Sequence, residues 1–216
     1  MLELYISGDN REKPRRSFRD LRTKISLIDK ECRTIAVTSN DAEKYRAQIT
    51  ANLALCMTDV GKRCLMILAD PKGIYEIVPY REGAGRFGVS ECLSGSGDYK
   101  KCIQKTQFDN LDVIIAGSGR NSSTELLEGE RFKALLVSLK EEYDQVFVDL
   151  PAVNKDLGSI VIAGYCDAGL LVLPGTVRLR SIRETVRLLS ENSHLLGVIR
   201  VRKNSITEKQ AVKDHR

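Results

Sequence analysis

Residues 34–54 read TIAVTSNDAEKYRAQITANLA, and this stretch decides the fold. Thr34-Ile35-Ala36-Val37 is a β-branched apolar run that reads as a buried strand. The helix that follows presents Ile49, Leu53, Met57 and Val60 as its apolar face. A strand, a short loop and a helix form the setting in which a phosphate-binding loop sits. This loop, however, has no glycine, no Gly-Lys pair and no hydroxyl after the basic residue.

Working outward, the same alternation continues. Strands are expected at Thr34–Thr38, Arg63–Leu68, Leu111–Ala116, Gln145–Asp149, Ala168–Leu173 and Leu196–Val201. Helices are expected at Arg16–Ile28, Arg46–Val60, Arg131–Tyr143, Leu157–Ala163 and Arg180–Asn192. The pattern predicts a doubly wound α/β domain, a mostly parallel sheet with helices on both faces. Ligands of such sheets bind beyond the C-terminal strand ends, here the loops after Val37, Leu68 and Val148. Residues 1–202 are expected to form one domain, with a basic helix within 15–28. The tail 203–216 is polar, without apolar periodicity, and reads as flexible. Gly83–Gly88 and Gly117–Ser123 read as surface loops.

The 216 residues are 42% hydrophobic and 29% charged, a globular balance, with a net charge of +5. The excess sits partly in Lys13–Arg22 and Arg200–Arg216 and reads as a solvated basic face, with anionic lipid or an acidic partner as the alternative; no nucleic-acid partner is expected. Six cysteines without a C-x-x-C pair and two histidines argue against zinc and for a reducing compartment. No stretch approaches ~18 apolar residues, so no membrane span is expected. The polar start is unlike a signal peptide, and a cytoplasmic location is expected.

A phosphate-binding loop needs glycines so that its N–H groups can approach the phosphates. It also needs a lysine for the terminal phosphates and a hydroxyl for Mg²⁺. The stretch here is Ala42-Glu43-Lys44-Tyr45-Arg46-Ala47-Gln48, after Asp41. Asp41 and Glu43 would repel phosphate, Tyr45 puts a ring where backbone should approach, and Ala47 offers no metal ligand. Lys44 and Arg46 retain positive charge, but arginine is no substitute for lysine in that geometry. The plain reading is an ordinary loop with Asp41 or Asn40 as helix N-cap; the other is a rearranged phosphate site. Asp70 and Asp149 each end an apolar strand, where a metal-water ligand of a nucleotide hydrolase would stand. Asp70 also reads as an ordinary turn residue before Pro71.

The run Phe18-Arg19-Asp20-Leu21-Arg22-Thr23-Lys24-Ile25 is similar to F-R-x-L-R-T-N-I of a known family. So are Asn52-Leu53-Ala54, Gly88-Val89-Ser90-Glu91-Cys92-Leu93, Cys102-Ile103-Gln104 and Asn110-Leu111-Asp112-Val113 with Ala116-Gly117. Glu125-Leu126-Leu127, Glu130-Arg131-Phe132 and Tyr143 through Pro151 continue the series. In order and spacing these resemble the bacterial tyrosine kinases (BY-kinases) of capsule and exopolysaccharide export. That family has a P-loop ATPase fold related to the cell-division and partition ATPases.

The resemblance implies what has changed. The family's P-G-x-G-K-S-T falls on Ala42–Gln48, with its lysine at Arg46 and its Mg²⁺-binding serine at Ala47. Its Asp-x-Asp pair falls on Leu68 and Asp70, its following arginine on Lys72, and its later aspartate on Asp149. Its adenine-recognising asparagine falls on Val201. Its E-x-x-R-x-x-R assembly motif keeps Arg19 and Arg22 but has Arg16 for glutamate. The C-terminal tyrosine cluster is absent, Tyr165 being the last tyrosine.

On this basis the expected protein is an inactive BY-kinase-like module with no cofactor, no metal and no catalytic residue, Asp70 and Asp149 being vestigial. Its implied partners are a membrane polysaccharide co-polymerase or adaptor, which could recruit it to the inner face of the membrane, or an active kinase paralogue. Arg16, Arg19 and Arg22 could form a partner or homo-oligomer surface, or simply a solvated helix face. The alternatives are an active or residually active tyrosine kinase or ATPase with a non-standard phosphate loop, using ATP and Mg²⁺, and a degenerate partition-type ATPase.

Overall fold

The computed structural model describes residues 2–6, 12–28, 31–70, 87–95, 98–117 and 123–203. Eight strands of the described residues form one sheet: β1 (Leu2–Ile6), β2 (Thr34–Ser39), β3 (Cys64–Leu68), β4 (Gln104–Lys105), β5 (Leu111–Ile114), β6 (Gln145–Asp149), β7 (Ala168–Pro174) and β8 (Leu195–Lys203). Their order is β1-β8-β7-β2-β6-β3-β5-β4. Every neighbouring pair is parallel except β4 with β5.

Among the described residues seven α-helices flank the sheet: α1 (Glu12–Ile28), α2 (Glu43–Thr58), α3 (Val89–Ser94), α4 (Ser123–Leu127), α5 (Glu130–Glu142), α6 (Gly158–Ala163) and α7 (Arg183–Asn192). One apolar layer joins Phe18, Leu21 and Ile25 of α1 to Ile49, Leu53 and Met57 of α2 and one face of the sheet. The other joins Phe132, Leu136 and Leu139 of α5 with Ile162 and Leu189 to the opposite face. The central strands β2, β3 and β6 are buried along their whole length, which is why they read as unbroken apolar runs.

The structure corrects several expectations. Helix α1 begins at Glu12 rather than Arg16, because Pro14 is tolerated in a first turn, where its missing N–H is not needed. Helix α2 begins at Glu43, not Arg46, and ends at Thr58, so Val60 lies past it and is 54% exposed rather than part of its apolar face. The segment expected as one helix from Arg180 opens as a 3₁₀ turn, Leu179–Ile182. Strands β1 and β4 and helices α3 and α4 were not expected.

Gly88 is buried rather than on a surface loop. A Cβ there would lie 2.4 Å from both the Ile115 carbonyl oxygen and the Gly117 nitrogen. The remainder of the Gly83–Gly88 stretch, most of Gly117–Ser123, Lys72 and the tail after Lys203 lie outside the described residues. Among the described residues no helix is long and apolar enough to cross a membrane.

Candidate functional site: a buried arginine between two aspartates

Strand register assembles the site. Asp149, the last residue of β6, stands opposite Val37 of β2 on one side and Leu68 of β3 on the other. The Ala69 N–H donates to the Asp149 carbonyl and the Leu150 N–H to the Val37 carbonyl. The loop after β6 is fastened to β2, for Thr38 Oγ1 donates to the Pro151 carbonyl at 2.7 Å. Asp70, two residues beyond β3, completes the group of strand ends from which the sequence predicted a site.

Into this group α2 projects Arg46, whose side chain is fully buried. Its Nε donates to Asp149 Oδ1 at 2.9 Å and its Nη2 to Asp149 Oδ2 at 3.1 Å. Nη2 also donates to Asp70 Oδ2 at 2.9 Å. This is a forked arginine–carboxylate pair with a second carboxylate added. Thr50, one turn along α2, donates from Oγ1 to Asp149 Oδ1 at 3.0 Å. Burial works against the guanidinium's charge, and the two carboxylates outweigh it, holding its pKa above the ordinary arginine value. Burial likewise pushes the Asp149 carboxyl up, against the pull of Arg46 and Thr50. A charge this deep persists only because its counter-charges are in contact with it.

Arg46 is thus not a loop cation facing outward. It lies in the first turn of α2, its N–H bonded to the Ala42 carbonyl. Asp70 is more than a turn residue, since it is a partner of that arginine. The expected N-caps are also corrected. Ala42 caps α2, without a side-chain hydrogen bond. Asn40 is buried, and its N–H donates to the Val172 carbonyl. Asp41 takes a left-handed φ of 57°, a conformation aspartate tolerates better than most residues, and its carboxylate accepts from Asn154.

Ala47 is buried, Gln48 is half-buried, and Tyr45 packs its ring against the α1–α2 core. Glu43 and Lys44 open α2, and their side chains lie outside the described residues. Val201 is buried in β8. Arg16 and Arg19 are exposed on α1, whereas Arg22 is half-buried and donates to the Cys56 carbonyl at 2.8 Å. The sequence reading missed Thr50. Its signal was the four-residue spacing from Arg46, which puts both on one helix face.

The Mg²⁺ and nucleotide that a P-loop fold implies do not fit these residues as they stand. Three carboxylate oxygens that could face a metal are taken up by one guanidinium, and the position after Arg46 is a buried alanine. The arrangement can hold three strand-end loops in register. Among the described residues it offers no outward-facing cation.

A family model described as AAA domain matches residues 32–196. Tyrosine-protein kinase CpsD of Streptococcus pneumoniae serotype 4 is 26% identical over 179 residues, covering 82% of this chain and 79% of that protein. The solved chimerical protein CapA2B2 shares the fold with a TM-score of 0.80 at 21% identity, covering 93% of this chain and 92% of the other. The BceF tyrosine kinase domain is 28% identical with a TM-score of 0.74, covering 87% of this chain and 77% of the other. The chain therefore belongs to the AAA domain family and, within it, to the bacterial tyrosine kinases, or BY-kinases, with their P-loop fold.

Proposed function

We propose that this protein is a BY-kinase-like domain that no longer transfers phosphoryl groups and serves as a binding or regulatory module in capsular or exopolysaccharide synthesis. The observation that carries this reading is the Arg46 guanidinium lodged between Asp149 and Asp70. Phosphoryl transfer depends almost wholly on positioned positive charge around the terminal phosphate. Here the first-turn cation of α2 is turned inward and neutralised by the acids. The glycines, the lysine and the hydroxyl that would cradle the phosphates are replaced by Glu43, Tyr45, Arg46 and Ala47.

The partners that suit such a module are a membrane polysaccharide co-polymerase or an active BY-kinase paralogue. The exposed basic residues Arg16 and Arg19 of α1 supply one surface for such contacts. Titration of the protein with Mg-ATP and Mg-ADP, alongside a phosphotyrosine assay, tests the reading. Neither binding at micromolar nucleotide nor phosphotyrosine is expected. Micromolar binding that disappears in Asp149→Ala would overturn it.

A further inference from the structure

Helix α1 does not close fully against the first half of β8. Between them lies a pocket of about 170 Å³. Its walls are Leu21, Ile25 and Ile28 of α1, Leu170 of β7, and Leu196 and Ile199 of β8. The three helix residues follow one another at helical spacing and share one face. Lys24, exposed on the same helix, stands at the rim, and every other lining side chain is aliphatic.

Two features of β8 make this space. Its pairing with β7 slips by one residue, for Gly169 stands opposite Leu195 but Leu170 opposite Gly197. Leu196 is therefore the extra residue of a β-bulge. Next, Gly197 brings no side chain to the face that Ile199 and Val201 turn toward the α1–α2 layer. A Cβ at Gly197 would have no described atom within 4 Å. Bulges are frequent beside binding sites, and a glycine inside a strand often marks the close approach of a ligand.

We propose that this pocket binds a small apolar carboxylate, its ring or branched chain seated among the aliphatic side chains and its carboxylate at Lys24. An apolar cavity of about 150 Å³ is large enough for a benzene ring, so the space suits a group of that size. The lining has no hydroxyl, amide or carboxylate side chain to pair with a sugar or a base, and polar groups buried without partners are costly. A single ammonium at the rim favours a monoanion over a neutral or cationic molecule.

The pocket is separate from the strand-end acids. It lies along the first halves of β7 and β8, whereas Asp149 is the last residue of β6. A molecule seated there touches α1, β7 and β8 together. It thereby strengthens the docking of α1, the helix that carries Arg16 and Arg19. None of this depends on whether the domain transfers phosphoryl groups.

The test is calorimetric titration and thermal unfolding of the full chain with phenylpropanoate, phenylpropanol and phenylpropylammonium. Phenylpropanoate is expected to bind with a Kd below about 1 mM and to raise the melting temperature. The alcohol and the ammonium should bind at least about threefold more weakly. Lys24→Gln should lower the carboxylate to the level of the alcohol. Gly197→Leu fills the pocket and should abolish binding without lowering the melting temperature. Binding that is absent at about 10 mM, unchanged in Gly197→Leu, or equal for the three probes overturns the proposal. If Gly197→Leu does not fold, methyl NMR of wild type decides. Ligand-induced shifts centred on Leu21, Ile25, Leu170 and Ile199 support the proposal, and shifts centred elsewhere overturn it. Self-association lost in Gly197→Leu, with no uptake of phenylpropanoate by wild type, would assign the pocket to a second copy instead and likewise overturn it.

Discussion

The Nε and Nη2 of Arg46 meet the two oxygens of Asp149 at 2.9 and 3.1 Å, across 103 residues of chain and with no exposed surface on either side chain. Removing one member of such a pair strands the other. Arg46→Met should therefore destabilise the protein by about 3–5 kcal/mol in urea unfolding. The same change combined with Asp70→Asn and Asp149→Asn should cost less than Arg46→Met alone. That non-additive outcome is expected of residues in contact. Arg46→Lys keeps the charge without the fork and should fall between wild type and Arg46→Met.

The two sides of α1 should respond differently. Arg22→Ala loses a bond to the Cys56 carbonyl that ties α1 to α2, at a cost of about 1 kcal/mol. Arg19 is exposed, so Arg19→Glu should shift stability by no more than about 0.5 kcal/mol. A loss of partner binding in Arg19→Glu with an unchanged unfolding curve would assign the face to recognition. Gel filtration with and without a candidate partner reads it out.

Gly88 opens α3 where its neighbours are backbone atoms rather than movable side chains. Gly88→Ala should cost about 1–3 kcal/mol, the usual price of overpacking. The loss should show as a lower midpoint in urea with the slope of the transition unchanged.

Asp167 accepts from the N–H groups of Arg33 and Thr34 and from Lys140. Burial pushes its carboxyl up, but Lys140 and these backbone donors prevail and hold it below the usual carboxylate range. A depressed folded-state value contributes stability above the unfolded pKa of about 4, and that contribution is lost as pH falls through the folded value. Asp167→Asn should flatten the acid side of the stability profile and leave the neutral-to-basic side parallel to wild type. An acid limb as steep as that of wild type would show that Asp167 is not its source.

Burial pushes the thiols of Cys64 and Cys92 up to about 12 and raises those of Cys102 and Cys166 as well. At pH 8 a thiol with a pKa near 12 is about 0.01% thiolate, the reactive form. These four should resist alkylation in the native protein and react fully in denaturant. Mass spectrometry after a timed iodoacetamide pulse checks this residue by residue.

Much of the fold was legible because its central strands are buried on both faces. Val146-Phe147-Val148 and Leu65-Met66-Ile67-Leu68 show uninterrupted apolar runs for that reason alone. The elements that escaped were too short for any period to develop, as with the two residues of β4 and the six of α3. The site was half legible. Asp70 and Asp149 stood out as acids ending strands, and Arg46 as the residue in the place of a lysine. Their union was hidden, because burial of a charge is decided by partners distant in sequence. A pattern that marks Arg46 as a solvated loop cation is the same pattern that marks it as a buried one.

The pairing of β1 with β8 also bears on how the chain is made. Leu2 stands beside Ile199 and Ile6 beside Lys203, so among the described strands β1, which emerges before the others, pairs with β8, which emerges after them. At about 5–20 residues per second, β1 waits roughly 10–40 s for a partner while the rest of the sheet assembles. Order of synthesis and order of docking are thus opposed at this edge. This edge strand is sewn in after strands that the message speaks later.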